Sequence, residues 1–378
     1  MKKKLLIAYA SYGSGHKKVA EYVYDYFKEH SDNFEIKVID VMDYANLIAR
    51  INQKVFNLNF KFQMSFSQTI GYEITDNKII TAPYKEITKL FLNKKLEKEI
   101  LKFDPDILIS THFFPSILMG NINQKYKRNT KIITILTDYA SHSMWLKNHK
   151  RENAYIVSNE IVKKELIDYG IPENKIYPFG IPLSSQFKQI EKDINKIKNK
   201  YNVNNDKLIF LFFGGGSIGA SFTYNYLKQL LKEKLNINII FVSGKNTKLK
   251  NKCDTFIEEN NIKNVTVLGF TDDISNLLNI ADVVISKPGG LSVTEAVEMN
   301  TPMVLIPGNG GQENHNAKFI TKNKFGIRTR TPYSLAKKCK KLVNNPKIIE
   351  EMYQNLKNYE ENKSIEKLFT LVNENKIN

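Results

Sequence analysis

Phe213-Gly214-Gly215-Gly216-Ser217-Ile218-Gly219-Ala220 follows directly on the apolar run Leu208 to Phe213 and opens a helix-length amphipathic segment. A strand, a glycine-rich turn and a helix in that order make half of a βαβ unit, with the turn at the carboxyl end of the strand. Glycines there let the backbone approach a ligand with no Cβ in the way, and the helix start offers unpaired N–H groups that suit a phosphate. The Ser217 hydroxyl adds a donor. No Lys-Ser/Thr pair closes the turn, so it is not the P-loop of an ATP hydrolase. A tight turn with no ligand is the other reading.

The same alternation extends in both directions. In the second half, further strands are expected at Asn238 to Val242, Val265 to Leu268, Val283 to Ile285 and Met303 to Ile306. In the first half they fall at Leu5 to Ala10, Phe34 to Val41, Asp106 to Ser110, Lys131 to Leu136 and Ala154 to Val157. The pattern predicts an α/β protein of two Rossmann-like, doubly wound domains facing a central cleft, residues 1–185 and 186–378, the last helix returning to the first domain. Gly180-Ile181-Pro182-Leu183 and the charged, helix-like stretch Gln189 to Tyr201 read as the connection between them. Residues 46–88 fit this scheme least. Their aromatics (Phe56, Phe60, Phe62, Phe66, Tyr72, Tyr84) and interspersed lysines suit either a helix covering the sheet or an amphipathic insertion that docks on lipid.

Composition narrows the class. The 378 residues are 42% hydrophobic, enough for two cores, and the two cysteines, Cys253 and Cys339, are too few for a disulfide framework and lack metal-ligand spacing. A reducing compartment is expected. No apolar run reaches the length of a membrane span, so any membrane contact is expected to be peripheral. The formal charge of +17 favours anionic partners, but it divides into roughly +7 and +10 on either side of residue 185, with no basic tail. No nucleic-acid-binding motif accompanies it.

Three further constellations carry chemistry. Ser11-Tyr12-Gly13-Ser14-Gly15-His16 follows the first strand; His16 is either a general base or a bystander of the turn, and the run is not the dinucleotide fingerprint because His16 and Lys17-Lys18 stand where a third glycine belongs. Ser286-Lys287-Pro288-Gly289-Gly290-Leu291-Ser292-Val293-Thr294-Glu295-Ala296 is a second glycine-rich strand-to-helix turn. Glu295 is expected in the first turn of its helix, either binding both hydroxyls of a ribose or forming a capping box with Ser292. Gln312 and Glu313 are expected to begin the next helix, where they can meet sugar hydroxyls. Asp104-Pro105-Asp106 has the form of a metal-binding Asp-x-Asp but is read as coincidence, and Asp272-Asp273 as a helix start. No metal or other cofactor is implied; helix dipoles and amides are expected to offset diphosphate charge.

Taken together, Tyr12 to His16, Ser110-Thr111-His112-Phe113, Thr137-Asp138-Tyr139 with His142 and Trp145, Gly180-Ile181-Pro182, Gly215 to Ala220, Pro288-Gly289-Gly290 to Glu295-Ala296, and Gly311-Gln312-Glu313 with Asn316-Ala317 resemble a known family. It is that of the GT-B glycosyltransferases that include monogalactosyldiacylglycerol synthases and bacterial diacylglycerol glucosyltransferases (glycosyltransferase family 28). The resemblance implies an inverting transfer of glucose or galactose from UDP-glucose or UDP-galactose to diacylglycerol, in the cytoplasm at an anionic membrane surface, with no nucleic acid involved. It implies that Phe270 and Thr271 meet uracil, Gly215, Gly216, Ser217, Gly289 and Gly290 the diphosphate, Glu295 the ribose, and Gln312 and Glu313 the hexose. It makes His16 and Asp138 the catalytic candidates and sets Gly15, His112, His142 and Trp145 on the acceptor side. Ser184-Ser185 stand where related lipid enzymes often carry Arg-Pro, a departure that bears on acceptor preference. A transferase of N-acetylglucosamine to another lipid-linked acceptor, or a UDP-sugar 2-epimerase of the same fold, is the alternative.

Overall fold

The computed structural model describes residues 2–44, 94–203, 206–215, 220–308, 310–359 and 364–377. The insertion 46–88 lies outside the described residues, as do Gly216 and Ser217. The chain forms two compact units, with Ser185 ending one stretch and Gln186 beginning the next.

The first unit is built on a parallel sheet ordered β2-β1-β3-β4-β5-β6. Its strands are β1 (Lys3–Tyr9), β2 (Phe34–Asp40), β3 (Ile107–Ser110), β4 (Lys131–Ile135), β5 (Ala154–Ile156) and β6 (Ile176–Tyr177). Leu5 to Tyr9 and all of β3 are buried without alternation, as expected where helices cover both faces of a parallel sheet. Helix Gly15–His30 buries Val19, Ala20, Val23 and Phe27, three and four residues apart, which is its core-facing stripe. Helix Ser364–Asn373 belongs to this unit: Phe369 sets its ring edge-on to Phe27 at 5.0 Å, and Lys131 Nζ donates to the Ile377 carbonyl at 2.6 Å.

The second unit has the order β12-β11-β10-β7-β8-β9, again all parallel. Its strands are β7 (Ile209–Phe213), β8 (Asn238–Val242), β9 (Val265–Leu268), β10 (Val283–Ser286), β11 (Met303–Leu305) and β12 (Gly326–Arg328). Phe210, Phe212, Tyr226, Phe241, Ile285 and Val304 centre its core. Cys253 and Cys339 are buried in the same core, and burial pushes both thiols up to about 12.

The ten expected strands are present, their ends matching expectation to within two residues. Sequence periodicity missed β6 and β12, which at two and three residues are too short to show a pattern. The helix-like stretch Gln189 to Tyr201 is helical over its later part. It holds a helix, Ile194–Lys200, capped by Asp193, that is fastened to helix Ile274–Ile280: Lys200 pairs with Asp273 at 2.6 Å, and Glu191 N–H donates to Asn276 Oδ1 at 2.9 Å. It is therefore part of the second unit. Asp273 does precede that helix, though its side chain serves Lys200, Tyr201 and Asn276 instead of capping. Asp104 and Asp106 are likewise in structural use, one paired with Arg128 at 3.1 Å and the other accepting from Lys4 N–H at 2.8 Å.

Candidate functional site

In an open parallel sheet the place for a ligand is the carboxyl edge where the chain changes direction of winding. In the first sheet that point lies between β1 and β3, so the turn after Tyr9 meets the turn after Ser110. His16, the second residue of its helix, is thereby set against Thr111. Its Nδ1 lies 2.7 Å from the Thr111 carbonyl oxygen, while Thr111 Oγ1 donates to the His16 carbonyl at 2.8 Å. A carbonyl can only accept, so Nδ1 carries the proton and Nε2 is the basic nitrogen. Thr137 Oγ1 lies 3.1 Å from the same Nδ1. Burial pushes the His16 imidazole down from 6.5 to about 4, against the opposing pull of the Thr111 bond, and so keeps it neutral at physiological pH.

Gly13, at φ 86°, supplies the left-handed residue that the turn before this helix requires. Gly15, where the helix begins, has open space around its Cβ position. Asp138 follows Thr137 in the turn after β4 and is partly buried. The aromatic wall behind His16 consists of His112, whose ring meets it edge-on at 4.8 Å, and Trp145 at 6.1 Å. His112 is buried and caps helix Phe113–Tyr126 by accepting Phe114 N–H on Nδ1 at 3.2 Å. Burial, and then the neighbouring His16, hold its pKa well below 6.5. His142 plays the same capping part for the short 3-10 turn Ser143–Leu146, and Trp145 within that turn is core, 2% exposed.

In the second sheet the winding changes between β7 and β10. A Cβ on Gly214 would lie 2.1 Å from the Phe241 ring, and one on Gly215 would lie 2.6 Å from the Ser243 carbonyl oxygen, so close packing against β8 already demands both glycines. Gly289 caps helix Gly290–Glu298 with its backbone. Glu295 is accordingly the sixth residue of that helix, buried in the second turn, and not in the first turn as its sequence context indicated; Gly289 at the cap also excludes the box with Ser292. The Pro-Gly-Gly run starts the helix earlier than a turn of that composition implied. Gln312 and Glu313 do open helix Gln312–Lys322. Asn316, from that helix, donates to the Pro288 carbonyl at 3.0 Å and ties the two turns together. Phe270 is 54% exposed beyond β9, with Lys245 Nζ 4.9 Å from its ring centroid, and Thr271 Oγ1 accepts Asp273 N–H at 3.1 Å.

Two family models match in tandem. Residues 16–183 match monogalactosyldiacylglycerol (MGDG) synthase, and residues 210–369 match the glycosyltransferase family 28 C-terminal domain. The chain belongs to this family. It is 29% identical over 369 residues to a processive diacylglycerol beta-glucosyltransferase of Bacillus licheniformis, covering 97% of this chain and 94% of that one. Its identity to the Bacillus subtilis protein of the same description is 27% over 356 residues, covering 94% and 91%. In fold it is similar to MurG of Acinetobacter baumannii (TM-score 0.65, 14% identity, 98% and 99% covered) and to MnaA of S. aureus with UDP (TM-score 0.67, 13% identity, 98% and 96% covered). These establish an α/β GT-B architecture of two parallel six-stranded sheets.

Within this family 28 chain, reasoning from residues had given no role to Thr111, Thr137, Lys287 or Glu152. Thr111 and Thr137 lie inside the Ser110-Thr111-His112-Phe113 and Thr137-Asp138-Tyr139 motifs, but their contact with His16 spans 95 and 121 positions and depends on strand order. Lys287 pairs with Glu313. Glu152, 1% exposed, accepts from Ser116, from Thr134 at 2.9 Å and from Asn148 at 3.2 Å, tying together the elements that carry His112, Thr137 and Trp145. No sequence pattern signalled it.

Proposed function

We propose that the chain is an inverting hexosyltransferase that moves a hexose, glucose by preference, from a UDP-sugar to the hydroxyl of diacylglycerol. The names of its full-length relatives support acceptor and sugar. The single observation that carries the mechanism is the orientation of His16: a neutral imidazole with Nδ1 fixed to Thr111 and Nε2 left as the base.

The acceptor oxygen attacks the anomeric carbon of an α-linked sugar as its proton passes to His16 Nε2. The bond from that carbon to the β-phosphate oxygen breaks, its electron pair leaves with UDP, and the product is a β-glycoside. The imidazolium that forms keeps its bond to the Thr111 carbonyl, and Asp138, next to Thr137, supplies compensating charge in the same turn. On the donor side, Glu295 takes the ribose, Phe270 and Thr271 flank the uracil, the turns at Gly215 to Ser217 and at Gly289-Gly290 take the diphosphate, and Gln312 with Glu313 take the hexose. The protein acts as a peripheral enzyme on an anionic membrane face; among the described residues no helix is long and apolar enough to cross a bilayer.

The test offers purified protein labelled UDP-glucose, UDP-galactose and UDP-N-acetylglucosamine with diacylglycerol vesicles and resolves the lipid products. Glucosyl-diacylglycerol is the expected product. A protein that binds UDP-sugar yet labels no lipid, or that alters the sugar nucleotide with no acceptor present, overturns the proposal.

A further inference from the structure

Parallel pairing sets Ser286 opposite Leu305, so the residues that follow β10 and β11 emerge side by side. There the Lys287 ammonium and the Glu313 carboxylate form an ion pair, their side chains only 18% and 12% exposed. Glycines wall the pair. A Cβ on Gly289 would lie 3.8 Å from Lys287 Nζ and 3.9 Å from Glu313 Oε1, and one on Gly308 would lie 2.1 Å from Glu313 Oε2. Asn316 holds the turn that carries Lys287 through the Pro288 carbonyl. The positive end of helix Gln312–Lys322 favours the Glu313 charge, since Glu313 is in its first turn.

We infer that Lys287 is a diphosphate-binding residue that Glu313 holds in place until the donor arrives. The inference rests on the UDP-sugar reading. A diphosphate presents more negative charge and more acceptor oxygens than one carboxylate, so the ammonium transfers to it. A carboxylate accepts only, so Glu313, released from the ammonium, can take hydrogen bonds from hexose hydroxyls. One exchange thus readies both ends of the donor. As the glycosidic bond breaks, negative charge grows on the departing β-phosphate, and Lys287 binds the transition state more strongly than the ground state.

The experiment measures UDP and UMP affinity by calorimetry in wild type, Lys287→Met and Glu313→Gln, with steady-state turnover alongside. Lys287→Met is expected to weaken UDP about tenfold or more while changing UMP far less, because charge-assisted bonds to the terminal phosphate are lost. Glu313→Gln is expected to tighten UDP, since the ammonium no longer has to leave a carboxylate, yet to raise KM for the UDP-sugar. Equal losses of UDP and UMP in Lys287→Met, or weaker UDP binding in Glu313→Gln, overturn the exchange. Should Lys287→Met fail to fold, the sign of the Glu313→Gln change decides alone. Wild type without UDP affinity would instead remove the donor reading itself.

Discussion

His16 and Thr111 clasp each other across 95 positions, side chain to backbone in both directions, with His16 Nδ1 at 2.7 Å from the Thr111 carbonyl and Thr111 Oγ1 at 2.8 Å from the His16 carbonyl. The clasp spans the point where the first sheet changes winding direction, and it fixes which imidazole nitrogen is basic. A side chain held this way is oriented before any substrate binds, which is the condition for efficient proton transfer.

Replacing His16 by Ala should therefore lower turnover by about two to four orders of magnitude, the usual worth of a general base. UDP affinity, which the proposed function assigns to the second unit, should stay within a factor of about two. Paired kinetics and calorimetry check this, and equal losses in both would remove the base assignment.

Acid should destabilise the first unit in a defined window. His16 has a folded pKa of about 4 against 6.5, and His112 is also lowered. Between these values the unfolded chain binds more protons than the folded one, so the stability these groups hold above pH 6.5 is lost as pH falls toward 4. Urea melts at a series of pH values should show that fall, and it should shrink in His16→Phe.

Glu152 shifts the other way, raised from 4.5 to about 7 by burial, with its hydrogen bonds opposing. Its contribution is complete below 4.5 and is lost as pH rises through 7. Glu152→Gln should flatten that alkaline loss. Glu152→Ala leaves the Ser116, Thr134 and Asn148 donors buried without this acceptor and should cost about 3 kcal/mol or more. Denaturant titration of the two variants separates the effects.

Two glycines that look alike in sequence should respond differently. Gly214→Ala drives a methyl into the Phe241 ring and should cost about 1–3 kcal/mol of stability. Gly289 has ordinary backbone angles and only van der Waals neighbours at 3.8 Å and beyond, so Gly289→Ala should melt as wild type while binding UDP more weakly. Thermal melts with calorimetry test the pair.

Glu295→Ala should weaken UDP about tenfold or more, the worth of charge-assisted bonds to ribose hydroxyls. The 2′-deoxy analogue of UDP should lose affinity in wild type and little further in the variant. Unchanged affinity in the variant would show the ribose assignment to be wrong.

Most of the strand plan was legible because its signals are local. Apolar runs such as Leu208 to Phe213, punctuated by glycine turns, announce buried parallel strands wherever they occur, and Gln312-Glu313 announces a helix start. Helix registration was less secure: Pro288-Gly289-Gly290 resembles a loop, so Glu295 was expected nearer the helix start than its buried place in the second turn.

The sequence by itself determined the two-sheet architecture, the glycine-rich turns at strand ends and the family, since each depends on residues close together in the chain or on a pattern spread along it. Tertiary structure alone decided that His16 meets Thr111 and Thr137, that Lys287 meets Glu313, and that Glu152 gathers three elements beneath the first site. Those contacts follow from β1 lying beside β3, β3 beside β4, β4 beside β5, and β10 beside β11. Strand order is set by how whole faces pack against covering helices, a balance of long-range burial that no local window of residues contains.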